Sequence, residues 1–312
     1  MMHSSLLIRI KRAIKKEIYQ PMVAPYLPDE YELLWGGNVS KRLLMPVFKP
    51  LRRRRDKRKF IKNLRDSDIF VVGHPKSGNT WITFMMAIFL FSDYQNEINI
   101  ANIGSYAPVI HGKDSDIAKY VSFTNTRVFR NEWPVYEKYY PKTIYLIRDP
   151  RAVLVSYYNM FRIYFDRNDV TLDEFVTEYL SKGYIQSWEP VMRWDRQVLF
   201  WLDKQGRQQN ILILKYEDAV ADRRGTVEKI VQFSEVDCPE RLVEKAVERG
   251  EFSSMQADEK KYGAESYPGQ ISSRGKFVRK GKVDGWKEEL NPNTAGKIEK
   301  AFGEVMKKVG YY

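Results

Sequence analysis

The chain has 312 residues, of which 43% are hydrophobic and 14% aromatic, enough to bury one large core or two small ones. Its single cysteine, Cys238, excludes an intramolecular disulfide framework and indicates a small buried thiol in a reducing compartment. The net charge is +12, but residues 1–60 hold 15 Lys or Arg against 5 Asp or Glu, so they carry most of the excess. No aromatic stacking motif accompanies these charges, so nucleic acid is not favoured as a partner.

Residues 1–60 are predicted to form a basic N-terminal arm. Residues 6–18 place apolar side chains at helical spacing with Lys and Arg between them, which is typical of a basic amphipathic helix. Two interpretations stay open: a solvated, partly docked arm, or an arm attached to an anionic membrane surface. The longest apolar run, residues 81–91, is well short of the ~20 residues that span a bilayer. We therefore expect a cytoplasmic protein, with the arm as a candidate peripheral membrane contact.

After the arm, short apolar strands alternate with helices. Strands are predicted at residues 68–73, 143–147 and 211–214, and the helices at about 78–91, from 150 onward, 224–233 and 294–308. Strands that are apolar throughout and separated by helices indicate a parallel sheet covered on both faces. We therefore expect one α/β domain over residues 61–312, with a central parallel sheet flanked by helices.

The segment GHPKSGNT, residues 73–80, lies between the first predicted strand and its helix. Such a turn exposes backbone N–H groups at a helix N-terminus, where the partial positive charge favours a phosphate. Ser77 and Thr80 add hydroxyl donors. The spacing is similar to the nucleotide-binding pattern G-x-x-x-x-G-K-[ST], but Asn79 stands at the lysine position and the lysine comes earlier, at Lys76. This arrangement does not favour an ordinary ATP or GTP hydrolase.

Together with the next residue, this loop reads HPKSGNTW and resembles the P-K-S-G-T-T-W loop of cytosolic-type sulfotransferases. That family uses 3′-phosphoadenylyl sulfate (PAPS) as donor and releases adenosine 3′,5′-bisphosphate (PAP). The resemblance implies a P-loop-like fold in which Trp81 packs on the adenine. It also implies that the 5′-phosphosulfate is held by Lys76, Ser77, Gly78, Asn79 and Thr80. Asn79 replaces the usual threonine but is still a hydrogen-bond donor.

A second segment, RDPRAVLVSYY at residues 148–158, is similar to the family's R-N-P-x-D-x-x-x-S-Y-Y. In the family, the arginine and the serine of this segment bind the 3′-phosphate of the donor. An arginine at a strand end can place its guanidinium fork on a phosphate. The resemblance therefore implies that Arg148 and Ser156 bind the 3′-phosphate.

Three later segments complete the resemblance. KYED at residues 215–218 looks like the family's Y-E-D and implies that Tyr216 approaches the adenine. EFSSM at residues 251–255 is a weaker match, in which Phe252 either packs on the adenine or belongs to the ordinary core. FVRKGKVDGW at residues 277–286 resembles F-x-R-K-G-x-x-G-D-W. It implies further 3′-phosphate contacts from Arg279, Lys280 and Gly281.

The catalytic base departs most from the family pattern. The family usually has K-T-H-x-P, with the histidine as base, and the counterpart here is RVFRNEWP at residues 127–134. Arg130 then replaces the lysine and Glu132 the histidine; some carbohydrate sulfotransferases use glutamate in this role. Two alternatives stay open: Glu132 is a surface residue in a misaligned loop, or His111 is the base.

The resemblance implies that protein side chains carry out the sulfuryl transfer and that no metal is needed. Glu132 would take the proton from an acceptor hydroxyl or amine, while Lys76 and Arg130 would neutralise charge on the sulfuryl group and the leaving oxygen. The acceptor is expected to be a small molecule. Aromatic residues in two loops, around 94–124 and 164–188, favour a planar or amphipathic acceptor: Tyr106, Tyr120, Tyr164, Tyr184 and Trp188.

Two other functions fit part of the pattern. A P-loop-type kinase needs a lysine at position 79 and a magnesium-binding aspartate after a strand, and Asn79 weighs against it. A catalytically inactive nucleotide-binding scaffold at a membrane would explain the loss of the histidine base. Such a scaffold would bind the donor without transferring its sulfuryl group.

Overall fold

The computed structural model describes residues 55–110, 117–120, 124–132, 136–183, 192–264 and 275–312. Within these ranges four parallel strands form the central sheet, in the order β2-β1-β3-β4. The strands are β1 (Ile69–Gly73), β2 (Val128–Asn131), β3 (Lys142–Ile147) and β4 (Ile211–Lys215). The predicted α/β architecture with a parallel sheet is confirmed, and β1, β3 and β4 correspond to the three predicted strands.

Helices cover both faces of this sheet. Residues 55–62 are helical. The α-helices that follow are α1 (Asn79–Leu90), α2 (Ile103–Tyr106), α3 (Pro150–Phe165), α4 (Leu172–Lys182), α5 (Trp194–Gln205), α6 (Tyr216–Ala221), α7 (Arg223–Ser234), α8 (Glu240–Arg249), α9 (Phe252–Tyr262) and α10 (Pro292–Lys308). Short 3₁₀ turns lie at Ser92–Tyr94, Ile117–Lys119, Glu137–Tyr139 and Gly285–Glu288. Of the helices in the described ranges, none is long and apolar enough to cross a bilayer.

Strand β2 was not predicted, because its second half is polar. Arg130 and Asn131 are nevertheless buried, since their side chains find partners inside the protein. Arg130 Nε donates to the Ala107 carbonyl oxygen at 2.6 Å, and Asn131 Nδ2 donates to the Tyr140 hydroxyl at 2.8 Å. The strand therefore joins the sheet edge beside β1, and the chain directly after it reaches the carboxyl edge of the sheet.

The two faces of the sheet bury separate hydrophobic clusters. Along β1, Ile69 and Val71 enter one cluster, and Phe70 and Val72 enter the other, as the two-residue period of a strand requires. Helix α1 packs in the first cluster and α3 in the second. The chains leaving the neighbouring strands β1 and β3 therefore turn to opposite faces, which opens a crevice at their carboxyl ends.

Helix α3 starts directly after β3 and is anchored to the C-terminal part of the chain. Asp149 caps the helix by accepting the Arg151 backbone N–H at 2.8 Å, and Pro150 occupies the first turn. The Arg151 guanidinium bonds both Asp149 oxygens, the Glu299 carboxylate at 2.7 Å and the Tyr311 carbonyl oxygen at 2.9 Å. These contacts hold the end of β3 in a defined position behind the crevice.

Candidate nucleotide-binding and active site

A cavity of about 230 Å³ lies at the carboxyl edge of the sheet. The chain after each strand contributes to its wall: Lys76 after β1, Glu132 after β2, Arg148 after β3 and Tyr216 after β4. In open parallel sheets, ligands bind in the crevice outside the carboxyl ends of the strands where neighbouring connections diverge. The cavity occupies this position between β1 and β3.

The loop from β1 to α1 has an unusual backbone. Lys76 (φ 71°) and Gly78 (φ 104°) both adopt the left-handed region, which costs energy for a lysine. A Cβ atom on Gly78 would lie 2.8 Å from Tyr216 Cδ2, so glycine is required there. No side chain caps α1 at Gly78, and the N–H groups of its first turn can therefore meet an anion.

The three polar side chains of this loop have different surroundings. Thr80 lines the cavity, and its hydroxyl oxygen accepts a hydrogen bond from Arg130 Nη1 at 3.3 Å. Asn79 also lines the cavity, but its Nδ2 donates to the Gly73 carbonyl oxygen at 3.1 Å, within the loop itself. Ser77 is buried outside the cavity wall, and its hydroxyl has no hydrogen-bond partner within the described ranges. The sequence predicted these positions but not how each side chain is used.

His74 supports the loop from below, although the sequence motifs had not marked it. Its Nδ1 donates to the Pro75 carbonyl oxygen at 3.0 Å, which leaves Nε2 to accept from the Tyr179 hydroxyl at 2.8 Å. The Tyr179 hydroxyl in turn accepts the Trp194 backbone N–H at 3.1 Å. Burial lowers the pKa of His74 to about 4, so the imidazole is neutral at pH 7. His74 therefore positions the loop and supplies no positive charge.

Arg148 joins three elements of the cavity. Its Nη1 donates to the Lys76 carbonyl oxygen at 2.9 Å, and its guanidinium carbon lies 4.1 Å from the centre of the Tyr216 ring. The Arg148 carbonyl oxygen accepts Trp194 Nε1–H at 3.0 Å. Its Nε is buried, and none of the described residues offers it a hydrogen-bond acceptor. The side chain is thus held in place and still has a donor to offer a ligand.

Lys76 is the cation of the phosphate loop. Burial lowers its pKa to about 8; the negative charge of Glu132 opposes this shift, and the positive charges of Arg148 and Arg279 reinforce it. Its ammonium lies 4.9 Å from the centre of the Phe277 ring. Lys76 is still mostly protonated at neutral pH, so it can stabilise an anion.

The predicted 3′-phosphate residues near the C-terminus also line the cavity, but they have carboxylate partners that the motifs did not reveal. Arg279 Nη1 donates to both oxygens of Glu289, at 2.7 and 2.8 Å. The Lys280 ammonium contacts Glu288 at 3.1 Å and Glu289 at 3.2 Å. Ser156 lines the same cavity from α3. A phosphate bound here has to compete with Glu289 for Arg279.

The aromatic residues predicted to surround the adenine lie together. The Trp81 and Tyr216 rings meet edge to face with centres 5.4 Å apart, and Trp81 Nε1 donates to the Gly250 carbonyl oxygen at 2.8 Å. Phe252 lines the cavity with 36% of its surface exposed, so it is not an ordinary core residue. Gly281 (φ 65°) packs so closely on Phe252 that an added Cβ would lie 2.2 Å from the ring.

The predicted catalytic residues are only partly brought together. Glu132 and Lys76 line the cavity, and the Glu132 carbonyl oxygen accepts Gln197 Nε2–H at 3.1 Å. Arg130 lies behind the wall, where it contacts Thr80 instead of the cavity. This differs from the expectation that Arg130 meets the transferring group, because strand β2 turns its side chain toward Ala107.

The aromatic residues proposed for the acceptor do not line this cavity where the structure describes them. The Tyr106 ring packs 5.3 Å from Phe91, and the Tyr120 ring packs 5.9 Å from Phe129. Tyr164 is also outside the cavity wall. The remaining candidates lie outside the described residues: His111, Tyr184 and Trp188.

Two buried nitrogen donors of residues that line the cavity lack hydrogen-bond partners among the described residues: Arg148 Nε and Arg223 Nε. Buried donors without acceptors are costly, and a ligand rich in oxygen or nitrogen acceptors would satisfy them. A nucleotide carrying phosphate and sulfate groups fits this requirement.

Known proteins match most of the chain. The model of the sulfotransferase domain family matches residues 66–310. An amine sulfotransferase of Oryctolagus cuniculus is 26% identical over 257 residues, covering 78% of this chain and 82% of the relative. A 3-beta-hydroxysteroid sulfotransferase of Cavia porcellus is 28% identical over 286 residues, covering 88% of this chain and 94% of the relative.

Solved structures show the same fold. Retinol dehydratase, in complex with androsterone and the inactive cofactor PAP, matches with a TM-score of 0.63 at 20% identity, covering 82% of this chain and 85% of that one. A mouse sulfotransferase complexed with PAP matches with a TM-score of 0.58 at 19% identity, covering 81% of this chain and 88% of that one. Because the family model spans well over half of the sequence, this chain belongs to the sulfotransferase domain family and is a PAPS-dependent sulfotransferase, as its motifs predicted.

Proposed function

We propose that PAPS binds in the described cavity and that Glu132 activates a hydroxyl or amine of a small-molecule acceptor. One observation carries this proposal: among the described residues that line the cavity, Glu132 is the only acid, whereas six are Lys or Arg. Such a cavity attracts a polyanionic nucleotide. The single carboxylate is then the group suited to accept a proton beside the bound donor.

Three groups of residues in the cavity wall are proposed to bind the three parts of the donor: the phosphosulfate, the 3′-phosphate and the adenine. The loop from β1 to α1 receives the phosphosulfate through its free N–H groups, Lys76 and Thr80. The 3′-phosphate meets Arg148 and Ser156, together with Arg279, Lys280 and Gly281. The adenine lies among the aromatic rings of Trp81, Tyr216 and Phe252, which provide apolar surface and ring edges.

The chemical step needs a base and a cation on opposite sides of the reacting sulfur. The acceptor oxygen or nitrogen forms a bond to sulfur, its proton passes to Glu132, and the bond between sulfur and the leaving phosphate oxygen breaks. Lys76 stabilises the charge that develops on the sulfuryl and leaving oxygens. Arg130 supports this indirectly, because its bond to the Thr80 hydroxyl fixes that side chain in the wall. The proposed step requires no metal.

Replacing Glu132 by Gln tests the role of the base. We expect kcat to fall by ~10²-fold or more, because the amide cannot accept the proton, while PAP affinity stays within ~3-fold of the wild type. His111→Ala is the comparison variant and should change kcat little. Loss of turnover in His111→Ala, with normal turnover in Glu132→Gln, would assign the base to His111.

The acceptor class and the location of the enzyme are also part of the proposal. The names of the two relatives refer to amines and hydroxysteroids, so a panel of aromatic amines, phenols and hydroxysteroids is the first acceptor screen. The basic arm, of which residues 1–54 lie outside the described residues, is proposed to give a cytoplasmic enzyme peripheral contact with anionic membranes. Co-sedimentation with phosphatidylserine vesicles should fall when residues 1–50 are deleted, with PAP binding unchanged.

A further inference from the structure

Arg223 is a basic residue in an unfavourable place for the stability of its helix. It is the first residue of α7, where the positive end of the helix dipole disfavours a cation; the N-cap Asp222 offsets part of this effect, and its carboxylate accepts the Gly225 backbone N–H at 2.8 Å. The next residue, Arg224, is compensated by contacts with Glu228 at 3.0 Å and with Glu240. Helix stability therefore does not explain why an arginine occupies position 223.

The contacts of Arg223 leave donors available to a ligand. The side chain lines the cavity, and its Nη1 lies 3.5 Å from Glu251 Oε1, an ion pair without a short hydrogen bond. Its Nε is buried and has no hydrogen-bond partner in the part of the chain that the structure describes. A guanidinium that is partly buried in a cavity with an unsatisfied donor is arranged to meet an acceptor from outside the protein.

Arg223 lines the cavity, and its partner Glu251 lies beside the cavity wall, next to two residues that do line it. Glu251 lies between Gly250, whose carbonyl oxygen accepts Trp81 Nε1–H at 2.8 Å, and Phe252. The pair therefore adjoins the part of the wall that Trp81 and Phe252 form.

We propose that Arg223 and Glu251 recognise the edge of the purine ring. Arg223 donates to a ring nitrogen of the base, and Glu251 accepts a hydrogen bond from the adjacent exocyclic amino group. Adenine presents such an acceptor and donor side by side, at N7 and the 6-amino group, and charged groups form the stronger hydrogen bonds with them. This inference rests on the proposed function, since it needs the adenine of the nucleotide to lie among Trp81, Tyr216 and Phe252.

Calorimetry with three ligands tests this recognition: adenosine 3′,5′-bisphosphate, inosine 3′,5′-bisphosphate and ribose 3,5-bisphosphate. Inosine carries a carbonyl oxygen in place of the amino group, so the wild type should prefer the adenosine ligand by ~10-fold or more. In Glu251→Ala this preference should shrink to within ~3-fold. Arg223→Ala should weaken binding of the adenosine ligand by ~10-fold and leave binding of ribose 3,5-bisphosphate unchanged.

Matched controls come from the same two segments. Arg224→Ala changes the neighbouring arginine of α7, and Glu248→Ala changes an exposed carboxylate that pairs with Lys245 outside the cavity. Both should keep the wild-type affinities and the preference for adenine. If Arg223→Ala fails to fold, Arg223→Lys keeps the charge but loses the planar fork, and it should still lower affinity for the adenosine ligand selectively.

The outcomes separate this inference from the function on which it rests. An unchanged adenosine-to-inosine preference in Glu251→Ala, or an equal loss for all three ligands in Arg223→Ala, overturns base recognition while leaving the donor site intact. If the wild-type protein does not bind adenosine 3′,5′-bisphosphate, the proposed donor site fails, and base recognition fails with it.

Discussion

The loop from β1 to α1 and the basic loop of residues 277–282 face the same cavity, but their cations have different partners. On the first side, Arg148 holds the Lys76 carbonyl oxygen at 2.9 Å and lies on the Tyr216 ring, so backbone and aromatic contacts fix it in place. On the second side, Arg279 and Lys280 are already bonded to the carboxylates of Glu288 and Glu289.

The cations on the first side are already positioned for an anion, whereas those on the second side must first give up a carboxylate partner. A cation fixed by backbone and aromatic contacts meets an anion without giving up an equivalent bond, so most of the interaction contributes to affinity. A cation that must leave a carboxylate exchanges one charged hydrogen bond for another, and the net gain is small. We therefore expect the first side to dominate nucleotide affinity, although the sequence motifs make the two sides look equivalent.

The largest effect is expected for Arg148→Ala. This variant removes a phosphate donor and also releases the Lys76 carbonyl oxygen and the Tyr216 ring, so affinity for adenosine 3′,5′-bisphosphate should fall by ~10²-fold. Arg279→Ala should lower it by only ~10-fold. Isothermal titration calorimetry on both variants measures the ratio. Equal losses, or a larger loss for Arg279→Ala, would contradict the distinction between the two sides.

A pH dependence of nucleotide affinity should come from Lys76. Its lowered pKa of about 8 means that the anion-binding cation is present below this pH and is lost as pH rises through it. Affinity for the bisphosphate should therefore fall by ~10-fold between pH 7 and 9.5. Bound phosphate favours the protonated form, so the midpoint in the complex lies higher.

Two variants isolate this effect in the same titrations. Lys76→Arg keeps its charge across the range and should bind with little pH dependence, whereas Lys76→Met should bind weakly at every pH. A wild-type affinity that stays flat from pH 7 to 9.5 would show that the Lys76 charge is not used in nucleotide binding.

The smallest effect, and one of opposite sign, is expected for Glu289→Gln. Neutralising this carboxylate releases Arg279 and Lys280, so affinity for the bisphosphate should increase by ~3–10-fold. Glu288→Gln should have less effect, because the Glu288 side chain is more exposed than that of Glu289 and does not pair with Arg279. If Glu289→Gln weakens binding, the carboxylate holds Arg279 in position for the phosphate and does not compete with it.

Features encoded by neighbouring residues were predictable from the sequence. Strands β1, β3 and β4 are apolar runs, and the phosphate loop is a strand, a glycine turn and a helix within about twenty residues. Arg148 and Ser156 lie on one strand end and its following helix, so their spacing alone brings them to one site. The fold class therefore followed from local patterns, and so did the grouping of Lys76, Arg148 and Ser156 around one cavity.

Features that depend on contacts between distant segments were not predictable. Strand β2 is stabilised by the bond from Arg130 to Ala107, which the hydrophobic pattern does not show. The carboxylates reach Arg279 and Lys280 only because the 3₁₀ turn Gly285–Glu288 folds the chain back. The position of Arg223 in the cavity depends on how α7 packs, and the only local signal was two consecutive arginines at a helix start.

Asn79 sets a limit on how this loop could be redesigned for other nucleotide chemistry. Its amide closes the loop on the Gly73 carbonyl oxygen at 3.1 Å, at a position where ATP-hydrolysing loops carry the lysine that reaches the phosphates. A single Asn79→Lys exchange would remove the donor to that carbonyl and bury a second ammonium close to Lys76. A lysine at this position is therefore expected to destabilise the loop, so this single exchange does not by itself convert it to phosphoryl transfer.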